Sequence, residues 1–120
     1  GLSKKHHSLL FEGAGGWLVP ITETETLADF AVRLNLPVIV VVANRLGCLN
    51  HTLLTLESLR ARNLHCPGII LNHLTPDADI AQRTNAEVLA RHTTILLEIP
   101  PACPAISPAD TDRFLRLIKK

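Results

Sequence analysis

Residues 38–43 read VIVVVA, an unbroken apolar run dominated by β-branched side chains. A strand exposed on one face alternates apolar and polar residues. This run does not, so it suits a strand covered on both faces, as in a parallel sheet. Pro37 ends whatever helix precedes it. Upstream, ITETETLADFAVRLNLP (21–37) reads as a loop and then a helix, with Leu27, Phe30, Ala31 and Leu34 on one face. Thr24 or Thr26 can cap it. Downstream, NRLGCLNHTLLTLESLRARN (44–63) carries Leu49, Leu53, Leu56 and Leu59 on a second amphipathic face, with Asn63 as a stop.

The same reading extends to both ends. GIILN (68–72) is a strand, and residues 75–92 form a helix with Thr75 at the cap and Pro76 at its first position. The apolar stripe of that helix is weak, which predicts a surface position. TTILLEIP (93–100) is another strand. PPACPAISPAD (100–110) holds four of the chain's eight prolines and reads as an irregular loop. DTDRFLRLIKK (110–120) closes the chain as a helix with its lysines at the favourable end. At the front, SLLF (8–11) reads as a short strand ending at Glu12. Strands alternating with helices give the α/β class, a parallel sheet with right-handed crossovers and flanking helices. Ligands in such sheets sit at the carboxyl ends of the strands. The chemistry is therefore expected in EGAGG, ANRLGCLN, LNHLTP and EIPPACP.

Composition narrows the function. The 120 residues are 47% hydrophobic with a formal charge of +1, so bulk electrostatics offers no hold on nucleic acid or membrane. At 3% aromatic, the chain lacks a stacking platform for single strands. Its longest apolar run, residues 37–43, is too short to cross a bilayer, and the first ten residues lack a signal peptide's apolar segment. Cys48, Cys66 and Cys103 are odd in number and widely spaced, the usage of a reducing cytoplasm. The six histidines show no HExxH spacing, and GxSxG is absent. A chain with no Met that starts at Gly1 is expected to be a fragment or a trimmed product.

Each strand end has a chemical and a plain reading. Glu12 beside Gly13, Ala14, Gly15 and Gly16 could hold Mg²⁺ on a phosphate, or could be an exposed acid at a sharp turn. Gly47 and Cys48 precede a helix whose first N–H groups suit a carboxylate or phosphate. Asn50 could cap that helix or touch the anion. Cys48 has no base fixed beside it and reads as a small packing residue. The Asn72 amide could read a base edge or make an Asx turn toward Thr75.

Together, FEGAGGWLVP, ETLADFA, LPVIVVV, LGCLNHTLLTLESLRARNL, GIILNHLTP and EIP resemble the C-terminal half of the ATP-dependent dethiobiotin synthetases, in the family's order, across nearly all of residues 8–101. The resemblance implies a P-loop NTPase-like fold, of which residues 1–120 are a single partial domain. It also implies an ATP- and Mg²⁺-dependent ligase of biotin biosynthesis. In that family 7,8-diaminopelargonic acid captures CO₂ as a carbamate, ATP converts it to a mixed anhydride, and the second amine closes the ureido ring. These enzymes are typically homodimers.

By resemblance, Glu12 is a Mg²⁺ ligand, and Gly13, Ala14 and Gly15 line the phosphates, Gly15 also the diamine. Gly47, Cys48, Leu49 and Asn50 hold the substrate's distal carboxylate across the dimer interface. Asn72 reads the adenine with His73 beside it, and Pro100, Pro101 and Ala102 line its pocket. Two departures stand out. The loop after EIP has no acid before Asp110, with Ser107 near the expected place. No G-x-x-x-x-G-K-[ST] stretch occurs, so no catalytic residue is assigned and these 120 residues alone are expected to be inactive. The competing expectation is a non-catalytic nucleotide-binding or dimerisation module of the same fold.

Overall fold

The apolar run at the centre of the sequence forms strand β1, Ile39–Asn44, in a computed structural model that describes Lys5 and residues 9–76 and 80–118. It pairs in parallel with β2, Gly68–His73, which pairs in parallel with β3, Ile95–Ile99, giving the sheet order β1-β2-β3. Ala43 lies opposite Asn72, and Asn44 opposite His73. Asn72 in turn lies opposite Ile99. The connections are helices α2, Cys48–Ala61, and α3, Ile80–Ala90, as parallel pairing requires. The chain divides into two compact units, residues 1–34 and 35–120, and the sheet belongs to the second.

In the second unit α2 and α3 pack against each other, and α2 also packs on β1. The core between sheet and helices is Val42, Leu56, Leu59, Leu64, Ile69, Leu71, Leu89 and Leu96. β1 departs from the expectation of cover on both faces. Val42 and Asn44 are buried, but Val41, on the alternate face, is 63% exposed. β1 is an edge of the described sheet, and α2 shields only the side carrying Val42 and Asn44.

The helix ends explain where each element stops. α2 starts without a side-chain cap. Gly47 is its N-cap at φ 89°, a left-handed conformation that a side chain resists. Asn50 therefore does not cap it and sits exposed within the first turn. The apolar face is also rotated from the expected one, with Cys48, Thr52, Leu56 and Leu59 buried. At the other end Asn63 does stop the helix. It adopts φ 56°, its N–H bonds the Arg60 carbonyl at 2.9 Å, and the Leu64 N–H bonds the Leu59 carbonyl at 3.0 Å. This is a Schellman arrangement, closed by the buried pair Leu59 and Leu64.

α3 is not merely a surface helix. Its packed face is weakly apolar because Asn85, 3% exposed, shares it with the buried Leu89. Thr75 and Pro76 lie in non-helical backbone, so Pro76 is not a first helical residue. Residues 77–79, on which the rest of the expected start falls, lie outside the described residues. Helix α4, Pro108–Ile118, begins two residues earlier than expected and packs on β3. Ser107 supplies the reason. Its hydroxyl accepts the Asp110 N–H at 3.1 Å and donates to the Asp110 carboxylate at 2.7 Å, with Pro108 in the first position. Lys119 and Lys120 lie outside the described residues.

In the first unit, helix α1, Leu27–Leu34, is capped by Thr26 rather than Thr24. The Thr26 hydroxyl accepts the Asp29 N–H at 3.3 Å, and the Asp29 carboxylate accepts the Thr26 N–H at 2.8 Å. The expected strand at residues 8–11 is not formed: residues 9–11 are irregular, and Leu10 is 92% exposed. A strand is held by ladder bonds to a neighbour, and residues 9–11 have none among the described residues. Residue 8 lies outside the described residues.

Replacing Ser107 by Ala removes the α4 cap and is expected to lower stability by about 1 kcal/mol, read from the urea midpoint. Asn44→Ala is expected to cost about 2–5 kcal/mol, because it strips partners from buried groups of α3. The same denaturation measurement compares the two, with Asn44→Ala the larger.

Candidate functional site

The carboxyl end of the sheet is where core side chains give way to hydrogen-bonding ones. On the face packed by α2 and α3, Val42 is followed two residues later by Asn44, Leu71 by His73, and Leu96 by Glu98. These three polar side chains touch. Asn44 Nδ2 lies 2.9 Å from His73 Nδ1, and His73 Nε2 lies 2.9 Å from Glu98 Oε2. Asn44 is fully buried and held from every side. Its Nδ2 donates to the Gln82 carbonyl at 2.9 Å, its Oδ1 accepts from Asn85 Nδ2 at 2.8 Å, and its carbonyl accepts from Gln82 Nε2 at 3.0 Å. No buried side-chain nitrogen or oxygen among the described residues lacks a partner. The sequence segments ANRLGCLN and EIPPACP contain Asn44 and Glu98, but neither residue was singled out. A polar residue two places beyond a buried one, on the same strand face, is the signal that could have found them.

Asn72 alternates with this row and projects to the opposite face. It sits at the end of the central strand, flanked by Ala43 and Ile99, and is half-buried. Its amide makes no hydrogen bond to another described residue, and the Asx turn toward Thr75 is not formed among them. Because Asn72 pairs with Ile99, the loop that begins at Pro100 starts beside it. Pro101 is half-buried there, while Pro100 and Ala102 are exposed. Ala102 adopts φ 51°, which gives the turn its tight reversal. An amide with two donors and an acceptor, next to an apolar proline loop, is suited to the edge of a planar heterocycle. Ser107 is not free for such a ligand, since its hydroxyl is engaged in the α4 cap.

Residues 47–50 form the second feature of this unit. The Cys48 N–H bonds the Arg45 carbonyl at 3.1 Å. The Leu49 and Asn50 N–H groups follow at an uncapped helix start, where orphan donors and the helix dipole favour an anion. Cys48 is 4% exposed and approaches Asn44 Oδ1 at 4.0 Å, consistent with a packing thiol. All three cysteines are free. Burial pushes the Cys66 thiol up, which keeps it protonated and a poor nucleophile.

In the first unit Glu12, Gly13, Ala14 and Gly15 lie in exposed, irregular chain. A Cβ at Gly13 would meet only the end of the Leu27 side chain, at 2.5 Å, a flexible group that can shift. Gly15 has φ 85°, open to glycine and costly for other residues. Gly16 then starts a turn closed by the Val19 N–H on its carbonyl at 3.1 Å. The Glu12 carboxylate makes no hydrogen bond to another described residue. No group of three or more His, Cys, Asp or Glu comes together among the described residues. A lone hard carboxylate fits Mg²⁺, which keeps water and phosphate oxygens as its other ligands. No helix among the described residues is long and apolar enough to cross a membrane.

Comparison with known proteins adds the family. A profile described as "AAA domain" matches residues 1–108. An ATP-dependent dethiobiotin synthetase of Anaeromyxobacter dehalogenans is 48% identical over 92 residues, covering 77% of this chain and 41% of that protein. Its namesake in another Anaeromyxobacter is 50% identical over 99 residues, covering 75% of the chain and 44% of the relative. One from a Mycobacterium species is 42% identical over 106 residues, 88% and 46% of the two chains. The chain thus spans between 41% and 46% of the length of these relatives. With a parallel sheet, flanking helices and a match over residues 1–108, the chain belongs to the AAA domain family, of P-loop NTPase-like fold, and resembles the ATP-dependent dethiobiotin synthetases.

Proposed function

We propose that residues 1–120 are the C-terminal portion of a dethiobiotin synthetase, the part that reads the nucleotide base and holds the substrate's carboxylate. The observation that carries this is the 50% identity to such an enzyme over 99 residues, covering 75% of this chain. The complete enzyme would use ATP, Mg²⁺ and CO₂ to carboxylate 7,8-diaminopelargonic acid and close it to dethiobiotin. Its place is the cytoplasm, as a homodimer.

The residues divide the work. Asn72 offers its amide to the adenine edge, with His73 beside it and Pro100, Pro101 and Ala102 walling the base from water. Gly47, Cys48, Leu49 and Asn50 present the start of α2 to the distal carboxylate of the diamine, across the dimer interface. The left-handed Gly47 opens that approach, and the backbone donors orient the substrate without a charged side chain. Gly13, Ala14 and Gly15 leave room for phosphate and diamine near Glu12. Glu12 would hold Mg²⁺, which would supply neutralisation of phosphate charge when bound. Glu12 alone would repel a triphosphate, and the chain has no G-x-x-x-x-G-K-[ST] stretch to offset that.

The test is an assay for dethiobiotin from ATP, bicarbonate and 7,8-diaminopelargonic acid. The full-length protein is expected to turn over, and the 120-residue chain is not. In the full-length protein, Glu12→Ala is expected to lower kcat on the order of 10²-fold, with partial recovery at raised Mg²⁺. A full-length protein that binds ATP yet forms no dethiobiotin would favour a non-catalytic nucleotide-binding module instead.

A further inference from the structure

His73 occupies an unusual position. It is the last residue of the central strand, directly after Asn72, and both of its ring nitrogens are taken. The surrounding bonds fix its tautomer. Asn44 Oδ1 faces the Asn85 amide donor, and Asn44 Nδ2 faces the Gln82 carbonyl, so the Asn44 amide has one satisfactory orientation. Its second N–H then points at His73 Nδ1, which must accept. Nε2 carries the proton and donates to Glu98. The row Asn44–His73–Glu98 therefore ties together the carboxyl ends of all three strands. One end is anchored in buried polar packing, and the other is a half-exposed carboxylate.

Stability is a weak reason for such a row. A hydrogen bond to a carboxylate that is 50% exposed contributes little. Position is a better one. Asn72 has no hydrogen bond to a described residue that would fix its amide, so the direction of that amide depends on the backbone at residues 72 and 73. We propose that His73, clamped between Asn44 and Glu98, is a positioning residue that fixes the end of β2 and so aims the Asn72 amide at the purine base. This rests on the base-reading role of Asn72 proposed above. It gives His73 and Glu98 a part in nucleotide specificity without direct contact with the nucleotide.

The experiment compares ATP with inosine triphosphate, which lacks the exocyclic amine, as substrates of the full-length protein. His73→Ala and Glu98→Ala are each expected to raise the KM for ATP on the order of tenfold with kcat nearly unchanged. KM for inosine triphosphate stays the same, so the preference for ATP falls. Glu98→Gln keeps an acceptor for the Nε2 proton and is expected to restore the preference. In an Asn72→Ala background, Glu98→Ala should have no further effect. Should His73→Ala not fold, the half-exposed Glu98 carries the comparison. Folded His73→Ala and Glu98→Ala proteins that keep the wild-type preference would overturn the positioning role while leaving Asn72 as the base reader. An equal loss with both nucleotides would also overturn it, as a general structural defect. An Asn72→Ala protein with unchanged preference would overturn the base-reading role and the positioning role together.

Discussion

The buried Asn44 amide constrains the rest of the sheet end. Its side chain is fully buried, where an amide without partners would be costly. Partners on three elements meet it: Gln82 and Asn85 of α3, His73 of β2, and more distantly the Cys48 thiol of α2. Gln82 also reaches the Asn44 carbonyl, so the amide and the chain carrying it are held by the same helix. This explains how α3 can pack closely with so little apolar surface. It also fixes strand register. A slip of one residue in β1 would send Asn44 to the opposite face and bring Ala43 inward, leaving Asn85 and the Gln82 carbonyl without partners. Hydrophobic packing of aliphatic strands is tolerant of such slips, whereas a polar network is not.

The same residues mark where packing ends and recognition begins. Along the inner face of each strand, one apolar residue is followed two places later by a polar one, so the core stops at one level across all three strands. Beyond that level lie the Gly47 turn, the Asn72 amide and the proline loop. A parallel sheet places these segments at one edge because every strand runs the same way. What the sequence separates by tens of residues, the topology gathers.

Much of this was legible in the residues. The β-branched run at 38–43 and the leucine spacing of 44–63 are strong periodic signals, and the strands and helices they imply are present, as is the Asn63 stop. Three of the four expected strand-end segments, ANRLGCLN, LNHLTP and EIPPACP, do follow strands, because parallel topology puts their carboxyl ends together, while EGAGG follows no strand among the described residues. Beyond the one-sided cover of β1, the rotated face of α2 and the non-helical Pro76, three things were not legible. The polar packing of α3 was missed, because Asn85 and Gln82 read as surface residues until Asn44 is placed against them. The start of α4 was set too late, because the prolines suggested a loop, while Ser107, Pro108 and Asp110 form a cap that turns one of those prolines into a helix start. The strand at residues 8–11 was expected from apolarity alone, and apolarity does not supply a pairing partner.

The site is a division of labour between side chains and backbone. In the proposed reading, the base is recognised by a side chain whose aim is set by its neighbour, whereas the carboxylate is recognised by N–H groups that need no aiming once Gly47 has set the helix start. Phosphate chemistry is different in kind. It requires positive charge against a triphosphate, and the residue proposed to face it, Glu12, is negative. A carboxylate there is useful only opposite a metal and a cationic loop. In that reading the base and the distal carboxylate are met by residues of 35–120, while phosphoryl transfer depends on groups that these residues do not provide. Specificity for the base and for the diamine can, in that reading, change without altering the chemistry, since the residues that set it, on a polar row and at a helix start, are not the acid and glycines proposed for the phosphate.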